Sequence, residues 1–268
     1  MKKILITGAG GWLGQYLATA LADRYEVHAV NRQQLNLADA DQVHRHFASN
    51  RYHSVINCAA AGRYTPAAED WNIVSNNLAG ILNLMTNRYC FHQLINIGTG
   101  AEFDISLPID SVHESQIFQR NPKQSYGLSK NIIARYLSEQ EQCYTLRLFG
   151  CFDPGEDSNR LLKKFHSVVA GGQEFNLADR PFDMISARDF ATVVDAVILG
   201  KIDHTDINCV YAEKYRLSDI LKLYCDTHGL DSNLVKITSQ GLSYTGRGNR
   251  LSKYHLPLNG LIDSITHY

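Results

Sequence analysis

Along the chain, short apolar runs alternate with segments whose apolar residues recur every three or four positions. The first run, Ile4-Leu5-Ile6, is rich in β-branched side chains and predicts a buried strand. Glycines follow at Gly8, Gly11 and Gly14, and then Leu13, Leu17, Ala20 and Leu21 fall at helical spacing. The same change of period repeats downstream. Residues 26–30 read as the second strand and 39–47 as a polar helix with Val43 and Phe47 four apart. After the short apolar stretch Leu35-Asn36-Leu37, residues 54–57 read as the fourth strand. A long helix over 71–88 carries Ile73, Asn77, Gly80, Ile81, Leu84 and Met85 on related faces. It is followed by a fifth strand over 93–97, a helix over 123–142 and a sixth strand over 143–149. Beyond these lie an amphipathic helix over 159–170 closed by Gly171-Gly172, a strand over 182–186, and a helix from Arg188 to Leu199. A strand over 207–211 and a helix over 217–228 with Leu217, Ile220, Leu221 and Tyr224 as its apolar stripe complete the pattern.

Strands and helices in alternation predict an α/β protein: a Rossmann-type doubly wound parallel sheet with a small C-terminal substrate-binding lobe. Residues 1–150 form the expected dinucleotide-binding domain. Residues 151–268 form the lobe, with about 183–211 returning to the core. The glycine spacing G-x-x-G-x-x-G carries the physics of the binding loop. Gly8 allows a tight turn, a side chain at Gly11 would block a pyrophosphate, and Gly14 lets the helix lie close to the strand. The free N–H groups at the helix start then face the phosphates. After the second strand the chain reads Val30-Asn31-Arg32, with no carboxylate to hold ribose hydroxyls. A guanidinium there bonds a 2′-phosphate that a carboxylate would repel. NADP, as NADPH, is therefore expected in preference to NAD, with Arg32 as the phosphate clamp beside Asn31. The small residues Cys58-Ala59-Ala60-Ala61-Gly62 leave room for a ligand at a strand end.

Composition narrows the classes of partner. The chain has 268 residues and a formal net charge of −1, which argues against nucleic acid or an anionic membrane as the main partner. No apolar run reaches the roughly 18 to 20 residues needed to span a bilayer, and the N-terminus enters a strand without a cleavable signal pattern. Six cysteines form no C-x-x-C pair and no zinc-ligand spacing with histidines, so no metal is expected and a reduced, cytoplasmic protein is. His44-x-His46 reads as a solvated surface pair, because i and i+2 do not share a helix face.

The remaining chemistry lies in Tyr126-Gly127-Leu128-Ser129-Lys130, a Y-x-x-x-K on a helix. Positions i and i+4 share a face, so phenol and ammonium project to one side. The cation is expected to lower the phenol from its ordinary value near 10, so that Tyr126 exchanges a proton near neutral pH. Together with the opening Thr7-Gly8-x-x-Gly11-x-x-Gly14, this motif resembles the short-chain dehydrogenase/reductase superfamily. The branch it resembles is the extended one, which handles nucleotide sugars. The resemblance covers about the first 150 residues with several motifs and continues more weakly to the end.

The resemblance implies roles for further residues. Thr99 aligns with the hydroxyl that contacts the reacting carbonyl, although Gly98 replaces a common serine and Phe103 a common tyrosine. Asn77, in N-x-x-G, matches a helix asparagine that organises water and the active-site lysine. Asn36 falls where relatives often carry an adenine-touching Asp, and Gly150 stands where an asparagine is usual. The cofactor contacts expected are Thr7, Gly8, Gly11, Trp12, Leu13, Gly14, Asn31, Arg32, Asn36, Leu37, Cys58, Ala59, Ala60, Tyr126 and Lys130. Those expected for the substrate are Thr99, Arg63, Arg180 and Arg247, with Arg247 and Arg250 suited to a diphosphate.

The function that Arg32 and the resemblance imply is an NADPH-dependent reductase of a nucleotide-activated 4-keto-6-deoxy sugar. Hydride comes from the nicotinamide and a proton from Tyr126, Lys130 binds the nicotinamide ribose, and Asn77 supports Lys130 through water. Gly100 and Ala101, in place of an Asp-Glu pair after Thr99, disfavour dehydration. The alternatives are a nucleotide-sugar epimerase of the same fold, or a non-catalytic NADP-sensing regulator, against which the intact Tyr126 and Lys130 argue. A homodimer through the helices at 71–88 and 123–142 is a further expectation.

Overall fold

The computed structural model describes residues 1–62 and 70–268. In chain order the elements are β1 (Lys3–Thr7), α1 (Trp12–Leu21), β2 (Glu26–Val30), α2 (Ala40–Ala48), β3 (Tyr52–Asn57), α3 (Trp71–Thr86), β4 (Phe91–Thr99), β5 (Ile109–Val112), α4 (Ser125–Ser138) and β6 (Cys143–Leu148). There follow β7 (Cys151–Phe152), α5 (Leu161–Ala170), β8 (Phe175–Asp179), β9 (Ile185–Ser186), α6 (Ala187–Ile198), β10 (Asp206–Asn208) and α7 (Leu217–His228). The chain ends with β11 (Val235–Gln240), β12 (Tyr244–Gly246), α8 (Asn249–Ser252) and α9 (Leu261–Thr266).

Six strands form one parallel sheet in the order β10-β6-β4-β3-β1-β2. Alternation along each strand decides what covers it. Ile4 and Ile6 point to the layer that holds Leu17 and Leu21 of α1 and Phe190 and Val194 of α6. Leu5 points the other way, with Val55 and Leu94, into Val43, Phe47, Ile81 and Ile133. Helices on both faces follow from strands that are apolar on both faces. The strand order reverses direction between β1 and β3, the switch point at which such sheets open a crevice. A separate core of Phe165, Leu217, Leu221, Tyr224 and Ile265 holds α5, α7 and α9 together.

Several boundaries move inward. Asp39 is the N-cap of α2, its side chain accepting the Gln42 amide, so the helix begins one residue later than expected. Leu35–Leu37 forms no strand, which makes Tyr52–Asn57 the third strand and not the fourth. The strand expected over 182–186 keeps only Ile185–Ser186, and the one over 207–211 becomes Asp206–Asn208. His46 is half-buried rather than solvated, because its Nε2 meets the Tyr52 hydroxyl at 2.9 Å. All six cysteines are unpaired.

Candidate active site

Two clefts open at the C-terminal ends of the sheet strands, and Gly11 lines both. The first, about 300 Å³, is walled by Gly8, Arg32, Asn36, Leu37, Cys58, Ala59, Ala60, Asn77 and Lys130, among others. Gly8 has φ +73°, and a Cβ on it would stand 2.5 Å from the Ala59 nitrogen, so only glycine lets the β1 turn approach the β3 end. A Cβ on Gly14 would stand 2.6 Å from the Gly8 carbonyl oxygen, which is why α1 lies so close to the loop. α1 begins after Gly11 with no side-chain cap. The first N–H groups of α1 are thus available to a ligand phosphate, and the residues present fit a dinucleotide.

Not every expected cofactor residue faces this cleft. Thr7 is buried, donating to Asn57 Oδ1 at 2.8 Å, and Asn57 in turn donates to Asn96 at 3.0 Å. Its hydroxyl ties β1, β3 and β4 together beneath the loop. Leu13 packs into the core behind α1. The Asn31 side chain accepts the amides of Gln33 and Gln34, which shapes the turn that presents exposed Arg32. Asn76, Gly80, Ile81 and Ile133 also line the cleft. Gly80 and Ile81 share with Asn77 the face of α3 that lines it.

The second cleft, about 680 Å³, contains Trp12, Thr99, Tyr126, Phe149, Asn159, Arg160, Arg180, Phe182 and Tyr244. Tyr126 and Thr99 both line this cleft. The expected lowering of the phenol by Lys130 is not found. Burial, reinforced by the Glu102 charge, pushes Tyr126 up to about 12, opposed by Thr99 and Arg160. Lys130 is buried and donates to the Ile97 carbonyl at 2.9 Å; burial pushes its ammonium down, against Glu102 and Cys58.

Asn77 lines the first cleft together with Lys130. Its Oδ1 accepts the Ala61 amide at 2.6 Å, and its Nδ2 donates to the Ala61 carbonyl at 3.1 Å and Ser129 Oγ at 2.9 Å. These bonds fasten the small-residue strand end to α3 and α4. Gly98 is explained by Glu102, whose Oε1 would stand 2.6 Å from a Cβ there. That same oxygen accepts the Thr99 amide at 2.9 Å. Phe103 turns into the core with Ile109, Val112 and Phe149 rather than into the cleft.

Of the substrate arginines, Arg180 lines the cleft, stacks over Phe182 at 5.4 Å and keeps a buried Nε with no partner among the described residues. Arg247 is exposed and lines neither cleft, and Arg250 is engaged with the Asp206 carbonyl and Glu114. The diphosphate role expected of that pair therefore has no geometric support. Arg63 lies outside the described residues. Arg160, Phe149, Phe182 and Tyr244 were not anticipated at the site. They sit in separate elements after β6, and no local spacing links them.

A family model described as the NAD dependent epimerase/dehydratase family matches residues 4–204. The chain belongs to this family. Its fold is that of a dTDP-4-dehydrorhamnose reductase from Clostridium acetobutylicum, with TM-score 0.84 and 23% identity over 99% of this chain and 98% of that one. A dTDP-4-dehydrorhamnose reductase from Bacillus anthracis in complex with NADP superimposes with TM-score 0.82 and 17% identity, covering 100% of this chain and 97% of that one. A curated dTDP-4-dehydrorhamnose reductase from Aggregatibacter actinomycetemcomitans is 44% identical over 62 residues, which is 22% of this chain and 21% of that protein. Gly11 of the glycine loop lines both clefts, and the Y-x-x-x-K helix gives Lys130 to the first and Tyr126 to the second. Among the described residues no helix is long and apolar enough to cross a membrane, and no group of histidine, cysteine and acidic side chains could hold a metal ion.

Proposed function

We propose that this protein is an NADPH-dependent oxidoreductase that reduces a nucleotide-activated 4-keto-6-deoxy sugar. The observation that carries the reading is that Tyr126 and Thr99 line one cleft and Lys130 the other, with Gly11 of the glycine loop lining both. Arg180 holds an unpartnered buried Nε in the larger one. The bound cofactor supplies hydride to the carbonyl carbon. Thr99 holds the carbonyl oxygen, and Tyr126 donates its phenolic proton to that oxygen as charge develops there. Lys130, anchored on Ile97, keeps further N–H donors for the nicotinamide ribose. Arg32 clamps the 2′-phosphate, and Arg180 binds the substrate diphosphate. Membership of the epimerase/dehydratase family and the similarity to reductases, one of them bound to NADP, support this choice.

The division of labour follows the chain: residues 1–150 bind the dinucleotide and 151–268 supply the substrate lobe, with β9, α6 and β10 returning to the main core. Exposed Trp71 and Leu82 on α3 and Ile132 on α4 support a homodimer through that helix pair. Six free cysteines support a cytoplasmic site of action.

The test is a panel of keto-sugar nucleotides with NADPH oxidation followed by the loss of reduced-nicotinamide absorbance, run on the wild type and Tyr126→Phe. Turnover by the wild type, lost in Tyr126→Phe with NADPH binding retained, is the expected result. NAD retained through purification, with sugar isomerised and no net NADPH consumed, would identify an epimerase instead.

A further inference from the structure

The residue after Thr99 is Gly100, and a side chain there would have nowhere to go. A Cβ on Gly100 would stand 2.7 Å from the Tyr244 Oη and 2.6 Å from a Phe149 ring carbon. A second phenol therefore fills the space beside the active-site hydroxyl, delivered from β12, more than a hundred residues away in sequence. Tyr244 is held there from several sides. Its amide donates to the Pro181 carbonyl at 3.0 Å, and its carbonyl accepts the Asp183 amide at 3.1 Å. Its ring stacks on Phe182, with centroids 5.5 Å apart and planes at 25°, and meets Phe149 at 5.2 Å and 62°. Thr99, Tyr126 and Tyr244 all line the same cleft.

The hydrogen-bond inventory of Thr99 gives this arrangement a direction. A threonine hydroxyl has one proton and two lone pairs. One lone pair takes the Ala101 amide at 3.3 Å. Both phenols line the cleft with Thr99, the Tyr244 Oη beside the neighbouring Gly100, and the Thr99 hydroxyl acts on each against the upward push of burial. Burial pushes the Tyr244 phenol above its ordinary range, so it keeps its proton and has one to donate. If Tyr244 donates to the remaining lone pair, Thr99 has no acceptor capacity left. Its own proton must then point outward, to the place where a carbonyl oxygen would sit beside Tyr126.

We propose that Tyr244 is a positioning residue for the reduction: its hydroxyl donates to Thr99 Oγ1 and so turns the Thr99 proton toward the reacting oxygen. The role rests on the reductase reading above. No proton leaves Tyr244 during turnover; the proton gained by the product comes from Tyr126, and Thr99 and Tyr244 keep theirs. Without the Tyr244 hydroxyl, Thr99 can accept from Tyr126 and draw the acid away from the substrate.

The experiment is a double-mutant cycle on the full chain, using the keto-sugar nucleotide found to turn over with NADPH. Tyr244→Phe keeps the ring and its stacking. It should lower kcat about tenfold, as expected for one lost hydrogen bond to a reacting group, with KM and NADPH affinity within about twofold of wild type. In a Thr99→Val background the same change should cost less than about twofold, because the partner it acts through is gone. In Thr99→Ser, which keeps the hydroxyl, the full loss should return. A Tyr244→Phe enzyme with wild-type kcat overturns the role and leaves the reductase reading standing. So does an undiminished loss in the Thr99→Val background, which would mark a purely structural effect. No turnover by the wild type with any keto-sugar nucleotide overturns both.

Discussion

The Glu102 carboxylate accepts the Arg147 Nε–H at 2.6 Å, and both side chains are fully excluded from solvent. The other Glu102 oxygen accepts the Thr99 amide, so an ion pair in the core holds the backbone of the candidate site. Arg147 also reaches Asn208 and Asp206 of β10, tying the last sheet strand to the turn after β4.

Arg147→Met should leave a buried carboxylate without its counter-charge. Breaking one side of such a pair costs about 3–5 kcal/mol, far more than a surface pair would. Urea unfolding followed by circular dichroism measures the loss. An unchanged midpoint would mean that Glu102 is held by its other contacts alone.

Tyr126 as an acid must hold its proton, and burial keeps it on up to about pH 12 in this structure. The rate of ketone reduction should therefore stay level from neutral pH through the ordinary tyrosine range near 10. Alcohol oxidation, which needs the phenolate, should rise with pH over the same interval. Profiles of kcat/KM in the two directions check this, and a reduction rate falling between pH 7 and 9 would contradict it.

Arg32 is exposed on the rim of the smaller cleft. Arg32→Ala should weaken NADPH binding by about tenfold or more, since a charge-assisted hydrogen bond is worth roughly 1.5–3 kcal/mol. NADH, lacking the 2′-phosphate, should bind nearly as before. Titration of reduced-nicotinamide fluorescence compares the two.

His28 Nδ1 and His46 Nε2 both meet the Tyr52 hydroxyl, and the His46 and Tyr52 rings stack. Burial, with the neighbouring Lys3 charge, pushes both imidazoles below their ordinary value. As pH falls below about 6.5 the unfolded chain takes up protons before the folded one, so stability is present above that pH and lost below it. Thermal melts between pH 7 and 5 should show this decline, and a His28→Gln/His46→Gln variant should show a shallower one.

The cofactor cleft was legible because its determinants are local. Gly8, Gly11 and Gly14 lie in one turn and the first residues of the helix it opens, and Cys58-Ala59-Ala60 at one strand end, so backbone geometry alone announces them. Lys130 and Tyr126 share a face at i and i+4 for the same reason. The spacing said nothing of where their charges go. Lys130 spends a donor on Ile97, and the phenol is governed by burial. An arginine-glycine run looks alike in sequence whether it meets a ligand or, as Arg250 does, a neighbouring carbonyl and carboxylate.

By itself, the order of apolar runs and helical stripes determined the doubly wound sheet, the binding loop at its first turn and the tyrosine–lysine helix beside it. Period and glycine placement act over a few residues, and a one-dimensional pattern can carry them. Only the tertiary structure decided that Tyr244, Phe182, Arg180 and Arg160 share a cleft with Tyr126, and that Glu102 sits beneath Thr99 with Arg147. Those contacts join residues far apart in the chain. They exist because sheet register and lobe packing bring distant strand ends together, and no local periodicity records that meeting.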